Sequence, residues 1–480
     1  MTVQETPSTA SGSGGRLGCA HTRSHITDSA FSGLGYSTAA SRRIFCDMCR
    51  YQRWLDVEAA LATAQGELGL IPGWAAGLIG ERARVELIDL DQVHADIQRT
   101  RHSLVGLLNA LASACPDGAG EYVHYGATTQ DIQDTGQALE MRDVLDELDR
   151  LLRPIVDRLA DLAEEHAATV AVGRTHAQPA LPIGFGLKIA SWVDELLRHA
   201  ERLVAMRPRV LAIQLFGAVG TSASFSPHGR ELAARVAARL GLTSPLMAWH
   251  SARDRVAEYV MTLAACTATA GRIADEIRTL SRPELGELDL IWQPGTIGSS
   301  TMPHKRNPDD CEQIVVMSRL AAGQVVSAMA TMGSEHERDS RSWRIEWACV
   351  PDVSHYCLRA YETLGSVIDS LVPNPGGITA NLHRVHDQVA TEALMLALAP
   401  HLGKQTAYRR VYEVSQQAQS KGVDLRAALA EQPDLHPLLT TEELDQVFDP
   451  AHYIGHSVTL TRDVVTAARG WLRTGGLTEE

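Results

Sequence analysis

The stretch LDELDRLLRPIVDRLADL, residues 145–162, carries apolar side chains at Leu145, Leu148, Leu152, Ile155, Leu159 and Leu162. That three-and-four spacing aligns them on one stripe of an α-helix, with Pro154 as a candidate kink. The same period recurs outward from it. Residues 246–282 and 309–350 contain no proline, so each can hold a helix of roughly 40 Å or more at 1.5 Å rise per residue. Towards the N-terminus, Leu55, Val57, Ala60, Leu61 and Ala64 repeat the pattern between Ile44 and Leu68, which Leu70-Ile71-Pro72-Gly73 ends. A further helical run extends from about Asp91 to Ala114 and stops near Pro116-Asp117-Gly118. Long, proline-poor, amphipathic segments with short Gly/Pro connectors predict an all-α protein built on an elongated helix bundle. Such helices carry more apolar surface than one chain covers, which points to an oligomer.

At 480 residues the chain exceeds a single compact core. Its composition divides it into a flexible Ser/Gly-rich tail (1–27), an N-terminal helical domain (28–125), a central helix-bundle domain (126–372) and a C-terminal helical domain (373–480). The last boundary falls on the breaker cluster Pro373-Asn374-Pro375-Gly376-Gly377. The net charge of −14, from 58 acidic and 44 basic residues, opposes binding to nucleic acid or an anionic membrane, and neither is an expected partner. No run of eighteen apolar residues occurs, so no membrane span is expected, and residues 1–28 lack the pattern of a secretory signal. Eight cysteines are too few for a disulfide scaffold. Cys46 and Cys49 form one C-x-x-C without a second pair, so reduced thiols in a cytoplasmic protein are the expectation.

No G-x-x-x-x-G-K-[ST], G-x-S-x-G or H-E-x-x-H motif is present, which argues against a P-loop ATPase, an α/β-hydrolase and a zinc protease. Neither a metal nor an organic cofactor is expected. Three polar segments interrupt the helical pattern: His124-Tyr125-Gly126-Ala127-Thr128-Thr129-Gln130-Asp131, then Gly173-Arg174-Thr175-His176-Ala177-Gln178-Pro179, then Gly298-Ser299-Ser300-Thr301-Met302-Pro303-His304-Lys305-Arg306-Asn307-Pro308. Each reads as the start of a long helix, where free N–H groups favour anions. Their Thr, Ser, His, Lys and Asn side chains suit a small dicarboxylate or tricarboxylate.

The third segment resembles the signature loop of the aspartase/fumarase superfamily, and the other two resemble that family's remaining characteristic regions in the same order. The resemblance runs from Trp54-Leu55-Asp56-Val57-Glu58-Ala59-Ala60 to Asp449-Pro450-Ala451-His452-Tyr453-Ile454-Gly455. It implies a three-domain fold in a homotetramer whose central helices form a shared bundle. Each active site would be assembled from three subunits. It also implies removal of a proton α to a carboxylate and β to a leaving group, usually giving fumarate.

Residue by residue, the resemblance makes Ser299 the general base, with Ser300 beside it in contact with substrate. A serine needs backbone amides to stabilise its alkoxide. His176 matches the general acid, or the residue that organises a water for proton transfer, with Thr175 next to it. Lys305 and Asn307 match the holders of the substrate carboxylate, where enolate charge develops. Thr128, Thr129 and Gln130 match carboxylate-binding positions, although Gln130 stands where related enzymes more often carry Ser or Asn. Thr100-Arg101-His102-Ser103 resembles an additional substrate loop, which adds His102 and Ser103 as candidates, and His124 joins them. Arg341 and Arg344 are further substrate-binding candidates: they stand where the family's cycloisomerases commonly carry small or uncharged residues, and they add positive charge if they face the site rather than lie on a solvated helix face.

Within the family, Gly35-Tyr36-Ser37 replaces the Arg-Tyr-Ser of adenylosuccinate lyases, and Trp347 stands where those enzymes carry a second phosphate-binding Arg. The segments Gly126 to Asp131, Glu335-His336-Glu337-Arg338 and Trp343 to Trp347 resemble 3-carboxy-cis,cis-muconate cycloisomerases. The same branch holds elimination lyases of natural-product biosynthesis, including nitrosuccinate lyases. The expected activity is β-elimination from a C2-substituted succinate, with 2-nitrosuccinate releasing nitrite as the first expectation. Cycloisomerisation comes second and adenylosuccinate cleavage third. Because Ser299, His176, Lys305 and Asn307 are all present, a catalytically silent structural homologue is not expected.

Overall fold

A computed structural model of the chain describes residues 25–292, 295 and 297–474. Residues 1–24 of the expected tail lie outside the described residues. Thr27 is buried, and the Ser37 hydroxyl donates to its carbonyl at 3.1 Å.

The N-terminal region contains α1 (Ala39–Ile44), α2 (Asp47–Glu67), α3 (Gly73–Arg82), α4 (Leu90–Thr100) and α5 (Val105–Ala114). The single helix expected from Asp91 to Ala114 is therefore two. Arg101 enters the left-handed region at φ +56° and ends α4, leaving His102 and Ser103 at the corner.

The central region opens with α6 (Thr129–Glu165), which runs 37 residues with Pro154 inside it. The quoted stripe from Leu145 to Leu162 is buried throughout. A hairpin of β1 (Val170–Thr175) and β2 (Gln178–Gly184) follows, then α7 (Phe185–Val210), α8 (Gly229–Leu240) and α9 (Asp254–Leu280). After β3 (Leu288–Leu290) come α10 (Asp309–Thr331), α11 (Ser340–Asp369) and β4 (Leu371–Pro373), which pairs antiparallel with β3. The proline-free stretch 309–350 is thus not one helix. It breaks before Asp339, whose carboxylate accepts from Arg341 N and starts α11.

The all-α expectation holds for the architecture, with two small antiparallel sheets added. One of them relocates the second polar segment. It forms the tip of the β1–β2 hairpin and does not begin a helix, because Val170, Val172 and Ile183 favour strand and Pro179 and Pro182 exclude helix interior.

Helices α6, α7, α9, α10 and α11 share one large core with α2. The C-terminal region contains α12 (Pro375–Val389), α13 (Thr391–Leu402), α14 (Lys404–Lys421), α15 (Leu425–Ala430), α16 (Thr441–Phe448) and α17 (Ser457–Leu472). Leu394, Leu398, Val414, Leu425, Leu429 and Leu444 form a second core there. The chain then returns: α17 packs against α6 and α7, and Arg469 pairs with Asp157 and Asp161.

Helix α10 leaves Val316, Leu320, Val326, Met329 and Met332 exposed. By length and composition it is apolar enough to cross a membrane, although Ser318, Arg319, Gly323, Gln324 and Ser327 keep it from being an uninterrupted apolar run. Its first turn carries Asp309, Asp310 and Glu312.

Candidate active site

The first segment is organised by a buried carboxylate. Asp131 accepts from Thr128 N at 3.1 Å, Phe216 N at 3.1 Å and Gly217 N at 3.0 Å. These bonds set Thr128 and Thr129 at the N-terminus of α6, where free N–H groups gather. His102 Nδ1 lies 3.3 Å from both Leu104 N and Val105 N, so it accepts, and the ring proton belongs on Nε2. Nε2 lies 3.4 Å from Thr129 Oγ1. Ser103 Oγ accepts from Gln133 Nε2 at 2.9 Å. Ser103 and Gln133 border a cavity of about 200 Å³ whose other walls include Arg50, Tyr51, Trp54 and Trp347.

His124 adopts φ +59° and its Nδ1 meets the buried Glu58 Oε1 at 2.6 Å. Burial disfavours a charged imidazole, but the hydrogen bond and charge of Glu58 outweigh it and raise the His124 pKa above the usual histidine value. A raised folded pKa stabilises the protein fully below the unfolded histidine pKa, and that contribution is lost as pH rises through the folded value. Glu58→Gln is therefore expected to lower the melting temperature more in mildly acidic than in alkaline buffer. Thermal melts of both proteins across pH check this, and a pH-independent difference would contradict the pairing.

Three further candidates have the following surroundings within the chain. Gln130 is fully buried, with Nε2 donating to Asp134 Oδ2 at 3.0 Å and to the His250 carbonyl at 3.2 Å. Its Oε1 accepts from Arg338 Nε at 3.1 Å, so both ends of the amide are engaged within the protein. The added charge expected of Arg341 is taken by Asp339 at 2.6 Å and Glu335 at 3.1 Å. Hydrogen bonds from Arg341 in turn hold the Asp339 carboxyl well below the usual range. Arg344 is exposed on α11.

The cation that does approach the first segment is Arg338, whose Nη1 donates to Thr128 Oγ1 at 2.7 Å. Among the described residues no carboxylate pairs with it. The sequence signal for it is Glu335-His336-Glu337-Arg338, a segment that resembles the cycloisomerase branch but does not by itself mark Arg338 as a site residue.

In the second segment, His176 and Ala177 form a two-residue turn between Thr175 and Gln178, at φ +51° and +64°. Two left-handed residues match the twist of a tight hairpin, a conformation that usually selects Asn or Gly. Thr175 and His176 are exposed at this tip. Arg174 anchors the hairpin by donating from Nη1 and Nη2 to the buried Glu287 at 3.0 and 2.5 Å, and Asn381 Nδ2 donates to the same carboxylate at 2.8 Å.

In the third segment, Ser299 Oγ accepts from Met302 N at 3.0 Å and Thr301 N at 3.3 Å. Asn307 Nδ2 donates to the Gly298 carbonyl at 2.7 Å. The amide thus ties the two ends of the loop together. A Cβ on Gly298 would lie 2.4 Å from the Lys305 carbonyl, so only glycine permits this closure. Ser300 and Lys305 are exposed.

Among the described residues, no hydrogen bond or ion pair joins any two of the three segments. Nor do three His, Cys, Asp or Glu side chains gather there as metal ligands do. Cys46 instead caps α2, its sulfur accepting from Cys49 N at 3.3 Å.

A family profile described as a lyase matches residues 37–326, and one described as the adenylosuccinate lyase C-terminus matches residues 387–464. The chain belongs to the aspartase/fumarase superfamily of lyases. This lyase is 37% identical over 447 residues to N-acetyl-S-(2-succino)cysteine lyase of Dickeya dadantii, covering 93% of this chain and 98% of the relative. It is 38% identical over 443 residues to adenylosuccinate lyase of Methanothermobacter thermautotrophicus, covering 91% and 98%. The crystal structure of 3-carboxy-cis,cis-muconate lactonizing enzyme from Pseudomonas putida superposes with a TM-score of 0.83 at 33% identity, covering 91% of this chain and 98% of that one.

Proposed function

We propose that this lyase takes a proton from C3 of a C2-substituted succinate and expels the C2 substituent, leaving fumarate. The observation that carries this reading is the pair of backbone N–H groups on Ser299 Oγ. Donors already aimed at that oxygen stabilise an alkoxide, which is what lets a hydroxyl act as a base. The Ser299 alkoxide takes the C3 proton, and charge develops on the adjacent carboxylate. Lys305 on the same loop and Arg338 beside Thr128 are the cations that receive the substrate's two carboxylates. His176 supplies a proton to leaving groups that need one.

The three segments come together in a homotetramer, each site drawing one segment from each of three subunits. Two features support this: among the described residues no hydrogen bond or ion pair joins the segments within a protomer, and α10 leaves Val326 and Met329 exposed. A cytoplasmic setting goes with the described cysteines, all of them unpaired thiols. Val326→Asp on α10 is expected to break the tetramer and with it activity. Light scattering on the eluting protein reads the mass, and an intact, active tetramer would count against a buried α10 face.

For the leaving group, nitrite from 2-nitrosuccinate is the first reading. Nitrite is compact and stable as an anion, and the sites where adenylosuccinate lyases bind phosphate carry Gly35 and Trp347. A second reading, a thiolate from a succinylated cysteine, is favoured by the similarity to the Dickeya enzyme over almost the full length of both chains. Parallel assays decide between them: nitrite release from 2-nitrosuccinate, and free thiol from N-acetyl-S-(2-succino)cysteine. Release of nitrite with the higher kcat/KM is the expected result, and thiol release without nitrite would replace the first reading by the second.

A further inference from the structure

Below Thr128 lies a continuous line of charged and amide groups that ends in the middle of the helix bundle. Arg253, with no side-chain exposure, donates from Nε to Glu346 Oε1 at 2.7 Å. It also donates from Nη1 and Nη2 to Asp134 at 2.8 and 3.1 Å. Gln137 Nε2 adds a bond to Glu346 at 3.2 Å. Asp134, so fixed, accepts from Gln130 Nε2 at 3.0 Å, and this bond decides which way the Gln130 amide faces. Its nitrogen is used on Asp134 and the His250 carbonyl, so its oxygen faces Arg338 Nε. Arg338 Nη1 then reaches Thr128 Oγ1, and Arg338 Nη2 makes no hydrogen bond or ion pair among the described residues. A half-buried guanidinium held by two neutral acceptors keeps its full charge and has N–H groups left for a ligand. Arg341, three residues further on, has its charge taken by two carboxylates.

We infer that Gln130 is a positioning residue for Arg338, held in its one useful orientation by the buried Arg253–Asp134–Glu346 cluster, so that Arg338 meets the substrate's carboxylate in a fixed pose. This rests on the reading of Arg338 as a carboxylate holder. The length of the Gln130 side chain is part of the device. A Ser or Asn at this position is too short to bridge Asp134 and Arg338, so a substitution that resembles a conservative change in a polar loop here alters how a cation is held. Orienting a guanidinium in advance spares a ligand the cost of ordering it.

The test is a double-mutant cycle read by calorimetric titration of the full-length oligomer with fumarate. Arg338→Met is expected to weaken fumarate binding about tenfold or more, the size of a charge-assisted hydrogen bond. Gln130→Met should weaken it by a comparable factor. In the double variant the two losses should not multiply: Gln130→Met should change the affinity of Arg338→Met by no more than about twofold. Gln130→Asn keeps the site polar and serves where the methionine variant is unstable, with an intermediate loss that also vanishes in the Arg338→Met background. Unchanged fumarate affinity in Gln130→Met, or a loss that multiplies onto that of Arg338→Met, would overturn the positioning role. Unchanged affinity in Arg338→Met itself would instead remove Arg338 from the site, a separate failure.

Discussion

Replacing Ser299 by Ala is expected to cut kcat by about 10²–10⁴-fold, the range over which a positioned general base accelerates proton transfer. KM should change little, because Lys305 and Arg338 are the proposed holders of the substrate and the base is not. The fold should be indifferent. Ser299 lies on a loop that precedes α10, and the bonds that close that loop run between Gly298 and Asn307. The Ser299 hydroxyl only accepts, from Thr301 N and Met302 N, and both donors sit where water can replace it. Steady-state fumarate formation together with a thermal melt checks both halves. Near wild-type turnover would show that the two N–H groups merely cap a turn, and a large fall in melting temperature would make any loss of activity uninterpretable as chemistry.

The second large effect falls on stability. Arg253→Met removes the one cation that, among the described residues, pairs with Asp134 and Glu346, whose side chains have no solvent exposure. Two carboxylates would then share a buried site without compensation. Breaking such a pair by deleting one partner typically costs about 3–5 kcal/mol, far more than the pair contributes over an apolar replacement. Denaturant unfolding monitored by circular dichroism should show that loss. A change within about 0.5 kcal/mol, as at ordinary surface positions, would mean that water or a neighbouring group already screens the two acids.

The helical architecture was legible because it rests on local periodicity. The stripe from Leu145 to Leu162 is buried as its spacing requires, and Pro154 does not interrupt α6. The breaks were less visible. Arg101 ends α4 by a left-handed turn that no glycine announces, and Asp339 starts α11 with no proline before it. The hairpin around His176 was hidden for a similar reason: its turn uses His and Ala where Asn and Gly would have signalled it.

At the site, the motif residues could be named from their order along the chain, but their partners could not. Gln130 to Arg338 spans 208 positions and Arg253 to Asp134 spans 119, and no spacing rule connects residues so far apart. The same limit hides the pairing of Arg341 with Asp339 and Glu335.

The most direct test of a fumarate-forming lyase is the ultraviolet absorbance of fumarate on mixing the purified oligomer with C2-substituted succinates in turn: 2-nitrosuccinate, N-acetyl-S-(2-succino)cysteine, aspartate, malate, argininosuccinate and adenylosuccinate. The expected result is fumarate from 2-nitrosuccinate, accompanied by an equal amount of nitrite and abolished by Ser299→Ala. No fumarate from any of them, with turnover of 3-carboxy-cis,cis-muconate instead, would contradict the elimination and make the enzyme a ring-closing isomerase.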